Sequence, residues 1–149
     1  MNAKPVSKRR VILMILTFVC IAFILVQSLL PGSISSDESG WITEHVLDPI
    51  AKVFGLKPFS HRAVRKMAHV AEFTALAALL ALCFRGRIAV SGGIGFLIAF
   101  LDESVQLFSG RGAQILDVWI DLIGVAFGTL LGYLILRARE RNKETVPKH

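Results

Sequence analysis

Four stretches of the chain are apolar over lengths that suit a membrane-spanning helix. The first, from Val11 to Leu30, contains no charged residue, and about 20 consecutive apolar residues are enough to cross the hydrocarbon core of a bilayer. Three later stretches approach this length, although each also includes polar positions. The pattern predicts spans at about 11–30, 64–84, 88–108 and 115–136. We therefore expect an all-α fold, a polytopic membrane protein built as a four-transmembrane-helix bundle.

Composition favours a membrane domain over a soluble one. Of the 149 residues, 54% are hydrophobic, and they lie in long runs that are rare in soluble domains. The first run is longer than the core of a cleavable signal peptide, and no small-residue cleavage site follows it. We expect a retained signal anchor, and we divide the chain into a basic N-terminal tail (1–10), one membrane domain (11–136) and a basic C-terminal tail (137–149).

The segment between the first two spans has an amphipathic pattern of its own. Apolar residues recur at roughly helical spacing from Trp41 to Phe54, a pattern typical of a helix that lies on the membrane surface. Pro49 interrupts the pattern and predicts two short pieces, with Asp48 capping the second. The sequence thus predicts a short interfacial helix in the first external loop, acting either as a lid or as a simple connector.

Basic residues are distributed unequally between the two sides of the predicted bundle. The net charge is +6, and the two tails and the second loop hold 11 of the 17 lysines and arginines, against 6 on the other side. The positive-inside rule then places both termini in the cytoplasm. Because the basic residues flank the spans and form no patch interleaved with aromatic residues, we predict no nucleic-acid partner.

Polar side chains in the last three spans all fall near the end of the bundle that this topology places outside. Ionisable groups in a membrane core are costly, so a set of them at one depth indicates a functional site. We therefore predict an outward-facing polar intramembrane site, with one loop residue, Arg111, just above it. The residues within the spans are Lys66, His69, Glu72, Asp102, Glu103, Gln106, Asp117 and Asp121.

Carboxylates this close together need compensation, which leaves several interpretations open. In a catalytic site, His69 or a carboxylate is the general base, while Lys66 and Arg111 hold an anion such as phosphate. In a metal site, ligands from facing helices coordinate a divalent ion. A proton relay or a purely structural set of ion pairs would also account for the cluster. The catalytic candidates are His69, Glu72, Asp102, Glu103 and Asp121; the anion- or substrate-binding candidates are Lys66, Gln106 and Arg111; the metal candidates are His69, Glu72, Asp102, Glu103, Asp117 and Asp121.

Glycines repeat every four residues in the fourth span. Gly124, Gly128 and Gly132 allow helix backbones to approach closely. Asp117 and Asp121 lie on the same side of this helix, so we expect them to face protein rather than lipid. The stripe predicts close packing within the chain, although an oligomer could form through the same glycines instead.

At these residues the sequence resembles the VanZ-like family of bacterial membrane proteins, over about Val11 to Leu136. The resemblance implies a multi-pass protein of the bacterial cytoplasmic membrane with a role in the cell envelope, because the family takes its name from a protein associated with teicoplanin resistance. The matching pieces are Lys66-x-x-His69-x-x-Glu72-Phe73, Leu101-Asp102-Glu103-x-x-Gln106, Arg111, Asp117-x-x-x-Asp121-x-x-Gly124 and Ser28-x-x-Pro31.

The leading hypothesis is therefore an envelope protein that affects susceptibility to teicoplanin and other lipoglycopeptides. A second hypothesis is a membrane hydrolase or transferase, with or without a divalent metal, that acts on a phospholipid or a lipid-linked envelope precursor. A third is a non-catalytic binding or scaffold protein. The partners expected are membrane lipids, such a precursor or the lipoglycopeptide itself. The sequence does not decide whether the protein is an enzyme.

Overall fold

The fold is helical throughout the part of the chain that the structure, a computed structural model, describes. The described residues are 7–30, 40–53, 55, 57, 60–109 and 115–144. Four of the helices are long and apolar enough to cross a membrane, and a short helix lies between the first two, so the predicted fold class is confirmed. The helices are α1 (Lys8–Leu29), α2 (Asp48–Val53), α3 (His61–Cys83), α4 (Ile88–Phe108) and α5 (Ile115–Glu144).

The long helices begin and end within a few residues of the predicted spans, except at the C-terminal end of α5. Helix α1 begins at Lys8, where the Ser7 side chain caps it by accepting a hydrogen bond from a backbone N–H. Ser60 caps α3 in the same way. Helix α5 continues past Arg137 to Glu144, so much of the segment predicted as a tail is helical.

The loop helix differs from its prediction at Pro49. A π-helical segment, Thr43–Leu47, runs directly into α2, so the two predicted pieces are continuous. Pro49 has no N–H to donate and its ring crowds the carbonyl one turn earlier, which accounts for the wider turn before it. Asp48 has helical backbone angles, φ −67° and ψ −39°, so the prediction that it caps a separate helix is wrong.

Helix α3 lies at the centre of the bundle and contacts the other three long helices. Its apolar residues supply half of a continuous buried core, while many large apolar residues elsewhere face outward, such as Phe18 of α1 at 72% exposure. An apolar exterior is what a bilayer requires. The core residues are Phe73, Leu76, Ala77 and Leu80 of α3 with Ile24, Ile98, Ala99 and Val125 of the other helices.

The glycine stripe of α5 packs against α3, and this contact is the most extensive between any two described helices. A Cβ added at Gly124 would lie 2.6 Å from the Val70 carbonyl oxygen, and one at Gly132 would lie 2.6 Å from the Ala81 Cβ. The backbones can therefore approach this closely only because these positions have no side chain. The stripe packs within the chain as predicted, and an oligomer through the same glycines stays an untested prediction.

The antiparallel order of the helices gives the bundle two chemically different ends. At one end, Ser28 of α1 contacts Asp102 of α4, and Lys66 of α3 contacts Asp117 of α5; we call this the polar end. The other end carries the start of α1, the α3–α4 turn and the end of α5, and we call it the basic end. Its arginines include Arg9, Arg10, Arg85 and Arg139.

Candidate functional site

Three side chains from three helices meet at the polar end. The Nδ1 atom of His69 lies 3.7 Å from Oδ1 of Asp121 and 4.0 Å from Oδ2 of Asp102. The two carboxylates are buried, with side-chain exposures of 2% and 0%, and the imidazole is 18% exposed. We call His69, Asp102 and Asp121 the central trio. It brings together three of the five predicted catalytic candidates.

On each of its three helices, the member of the central trio lies on the same face as the residues of the apolar core. Residues three or four apart lie on the same side of a helix, so packing of the core also orients the polar residues one turn further out. Each trio member is one turn from a core residue: His69 precedes Phe73, Asp102 follows Ile98, and Asp121 precedes Val125.

Asp102 accepts hydrogen bonds on both carboxylate oxygens. The Ser28 hydroxyl donates to Oδ1, and Nε2 of Gln106 donates to Oδ2 at 2.7 Å. Ser28 is 1% exposed, and its carbonyl accepts a hydrogen bond from Ser109 Oγ at 3.0 Å. The predicted polar residue Gln106 thus supports the trio, and α1 contributes to the site as well.

Ser28 is absent from the predicted site residues, although it belongs to one of the pieces that match the family. Helix α1 runs toward the polar end, so its last turn reaches the same depth as Asp102 near the end of α4. Topology could therefore have singled out Ser28. Ser104, by contrast, donates to the Phe100 carbonyl of its own helix at 2.7 Å.

A narrow cleft leads from the surface to His69 and Asp121. Its mouth carries an ion pair between Lys66 Nζ and Asp117 Oδ1, 3.1 Å apart and partly exposed. Arg65, for which the sequence predicts no role, also lines the cleft. The empty space is about 280 Å³, but its interior admits only about one water molecule. The lining residues are Arg65, Lys66, His69, Glu103, Gln106, Asp117, Ile120 and Asp121.

Glu103 lies between this polar cleft and a second, apolar groove on the outer surface of α4 and α5. It is 8% exposed and lines both spaces. The groove has a volume of about 530 Å³, and its residues include Phe100 and Trp119, which are exposed on the outside of the bundle. A chain-bearing ligand in the groove would therefore lie beside the cleft. The apolar residues of the groove are Phe96, Phe100, Leu107, Val118, Trp119 and Leu122.

Two predicted site residues lie apart from the described cleft. Glu72 is half-buried and one turn further along α3 than His69, and it is absent from the described residues that line the cleft. Arg111 lies outside the described residues, so its predicted role as an anion ligand stays a prediction.

The central trio has the donor set of a divalent metal site. One nitrogen and two carboxylate oxygens lie within 4.8 Å of one another. Ligands at about 2.1 Å from a tetrahedral zinc ion lie about 3.4 Å apart, whereas His69 Nδ1 lies 3.7 Å and 4.0 Å from the two carboxylates, so the trio would need to contract to hold the ion. Two carboxylates also match the charge of a divalent ion. Of the six predicted metal candidates, the described structure groups these three.

Residues 11–137 match the family model described as VanZ/LLP1. The match includes all of the sequence pieces quoted above and nearly all of the four long helices. Neither the search of curated proteins nor the search of solved structures found a match.

Proposed function

Because the chain belongs to the VanZ/LLP1 family, we propose that it is a bacterial envelope protein whose polar end faces outward and modulates susceptibility to teicoplanin and related lipoglycopeptides. The observation that carries the proposal is the central trio, two buried carboxylates beside a partly buried imidazole between helices that suit a membrane. Burying such groups at membrane depth is costly, and binding or chemistry at the site would explain why they are there.

The orientation follows from the distribution of charge. Eleven of the 17 lysines and arginines lie at the basic end or in the adjoining tails, which favours a cytoplasmic location for that end. The polar end then faces the outer leaflet. Teicoplanin carries a lipid tail and works at this surface, so a site there can bind the tail or act on the envelope precursor that the drug recognises.

An isosteric scan tests whether the central trio carries the function. We would replace His69 by Gln, and Asp102 and Asp121 by Asn, and measure teicoplanin susceptibility in cells with matched amounts of each variant in the membrane. We expect each variant to lose the effect on susceptibility. Glu140→Gln is the control, because Glu140 is an exposed acid at the basic end.

Thermal stability in detergent distinguishes a variant that has lost its action on a ligand from one whose helix bundle is destabilised. If the three variants remain about as stable as the parent while the effect is lost, the trio acts on a ligand. If the effect declines only in proportion to stability, as loss of one partner from a buried ionic network predicts, the trio holds the bundle together and the non-catalytic scaffold is favoured instead.

A second candidate function, a membrane hydrolase or transferase, is favoured by the position of Glu103. Since Glu103 lines both the cleft and the apolar groove, a lipid with its chain in the groove would have its head group at the cleft mouth. Arg65 and Lys66 could hold a phosphate there. His69 would act in one of two ways: without a metal it would take a proton from water or from an acceptor hydroxyl, whereas as a ligand beside Asp102 and Asp121 it would help to hold a divalent ion that supplies Lewis-acid chemistry.

Lipid turnover by the purified protein tests this candidate. We would incubate the protein with phospholipid and lipid-linked precursor, with Mg²⁺, Mn²⁺, Zn²⁺ or a chelator, and follow the products by mass spectrometry. An enzyme should give a product that His69→Gln abolishes and His45→Gln does not, since His45 stacks on Trp41 in the loop. No product under any condition, with unchanged lipids in a deletion strain, would contradict it.

A further inference from the structure

A second and larger cleft lies at the basic end, opposite the central trio. It has a volume of about 570 Å³ and lies between the start of α1, the α3–α4 turn and the last turns of α5. Four arginines and one glutamate line it, which gives a net charge of +3. These residues are Arg9, Arg10, Arg85, Arg139 and Glu140.

The lining of this basic cleft has two tiers. Three leucines also line it, and each lies three residues deeper in the bundle than an arginine of the same segment. In α1 and α5, three residues of helix correspond to about 4.5 Å along the axis and to nearly the same face, while Arg85 lies in the turn just after α3 ends at Cys83. The cleft therefore has a cationic rim above an apolar floor. The pairs are Leu13 with Arg10, Leu82 with Arg85, and Leu136 with Arg139.

Arg85 occupies a backbone position that normally favours glycine. Its φ is +55°, in the left-handed region that disfavours residues with a side chain. The next residue, Gly86, donates its N–H to the Ala81 carbonyl at 2.8 Å, which closes the turn that ends α3. Strained positions of this kind cluster at functional sites. The strain gives a reason, independent of the net charge, to ask what the Arg85 side chain binds.

We propose that the basic cleft binds the head group of an anionic phospholipid, with the arginines on the phosphate and the leucines against the first methylenes of the chains. Guanidinium groups match phosphate oxygens in geometry and charge, and basic pockets beside membrane spans take anionic head groups. A free phosphate would contact only the arginines of the rim and would bury none of the leucine side chains. A phospholipid matches both tiers.

Thermal unfolding of the full chain in detergent tests the proposal directly. A ligand that binds the folded state raises the melting temperature. We expect phosphatidylglycerol to raise it in a saturable way, and we expect neither phosphatidylcholine nor inorganic phosphate to do so. An equal effect of phosphatidylcholine would overturn the choice of an anionic lipid, and an equal effect of inorganic phosphate would overturn the lipid itself.

Charge variants locate the binding. Arg85→Gly removes one guanidinium and relieves the left-handed strain, so the variant should fold at least as well as the parent. We expect its affinity for phosphatidylglycerol to fall about fivefold, as one arginine near a membrane surface predicts. Arg139→Gln should give a similar loss from a different helix.

Arg137→Gln is the matched control at the same end of the molecule. Arg137 donates from Nε to the Tyr133 hydroxyl at 2.8 Å and lies over that ring, and it is not among the described residues that line the cleft. Its loss should change the affinity less than twofold. If Arg137→Gln weakens binding as much as Arg85→Gly, the attraction is a general surface charge effect and the discrete site is overturned.

Discussion

At the scale of single residues, the carboxylate of Asp102 is tied to two helices. Ser28 of α1 donates to one oxygen and Gln106 of α4 donates to the other. A buried polar group is tolerated when hydrogen bonds replace the water it has lost. The same two bonds fix the side-chain rotamer, so that Oδ2 faces His69. Positioning of the central trio thus depends on α1, which contributes no trio member.

Replacing Ser28 by alanine should therefore weaken both the fold and the site. We expect the free energy of unfolding to fall by about 1–3 kcal/mol, the usual cost of leaving a buried group without its hydrogen-bond partner. We also expect a reduced effect on teicoplanin susceptibility. Reversible unfolding in detergent micelles and susceptibility at matched expression are the two measurements.

Ser104→Ala is the control for this substitution. Both hydroxyls lie within hydrogen-bond distance of a carbonyl one turn earlier on their own helix, Ile24 for Ser28 at 3.2 Å and Phe100 for Ser104 at 2.7 Å, but only the Ser28 hydroxyl is described as having Asp102 as its nearer partner. Ser104→Ala should therefore change stability by less than about 1 kcal/mol. Equal losses for the two variants would mean that the contact between Ser28 and Asp102 contributes little.

At the scale of helices, contact between α3 and α5 determines where the polar residues meet. The glycines of α5 bring its backbone against α3, and His69 and Asp121 lie one turn or less beyond this contact on their respective helices. A side chain at the glycine positions would separate the helices. The distance between the imidazole and the Asp121 carboxylate would then increase with it.

Gly128→Ala should be strongly destabilising for this reason. The new Cβ would lie 2.8 Å from the Thr74 carbonyl carbon and 2.9 Å from the Ala77 Cβ, and backbone on one side leaves little room to adjust. We expect a loss of about 1–3 kcal/mol in unfolding free energy, measured by thermal or denaturant unfolding in detergent.

Gly93→Ala is the matched substitution on an open surface. A Cβ at Gly93 would meet no atom within 4 Å, and alanine is favoured over glycine inside a helix by about 1 kcal/mol. This variant should be as stable as the parent or more so. If both glycine variants behaved alike, close packing of α3 on α5 would not be what the stripe provides.

The elements that sequence predicts well are those governed by repeating patterns. The spans follow from runs of apolar residues, and the burial of Asp121 follows from its place on the glycine face of α5. The continuous helix through Pro49 could not be predicted, because a π-helical turn accommodates the missing N–H. Topology places Ser28 at the depth of Asp102, but the contact between them could not be predicted, since it forms only when α4 is packed beside α1.

At the scale of the whole molecule, the two clefts lie at opposite ends of the helix bundle. From His69 to Cys83 the helix rises about 21 Å, so a lipid head group in the basic cleft and a ligand at the polar end would be separated by most of the hydrocarbon core. The polar end can act on an external antibiotic only if it faces outward. The proposed effect on teicoplanin therefore depends on which end of the bundle faces outward. The proposed binding of a phospholipid in the basic cleft does not.

Cysteine labelling in intact cells decides that orientation. With Cys20 and Cys83 replaced by alanine, single cysteines would be placed at Lys57, before α3, and at Asn142, near the end of α5; both positions are exposed. We expect a membrane-impermeant maleimide to label Lys57→Cys in intact cells and Asn142→Cys only after permeabilisation, because basic flanks are retained in the cytoplasm. The reverse pattern would place the central trio at the inner leaflet and contradict direct action on teicoplanin. Phospholipid binding in detergent would be unaffected by that result, so the labelling tests the first proposal alone.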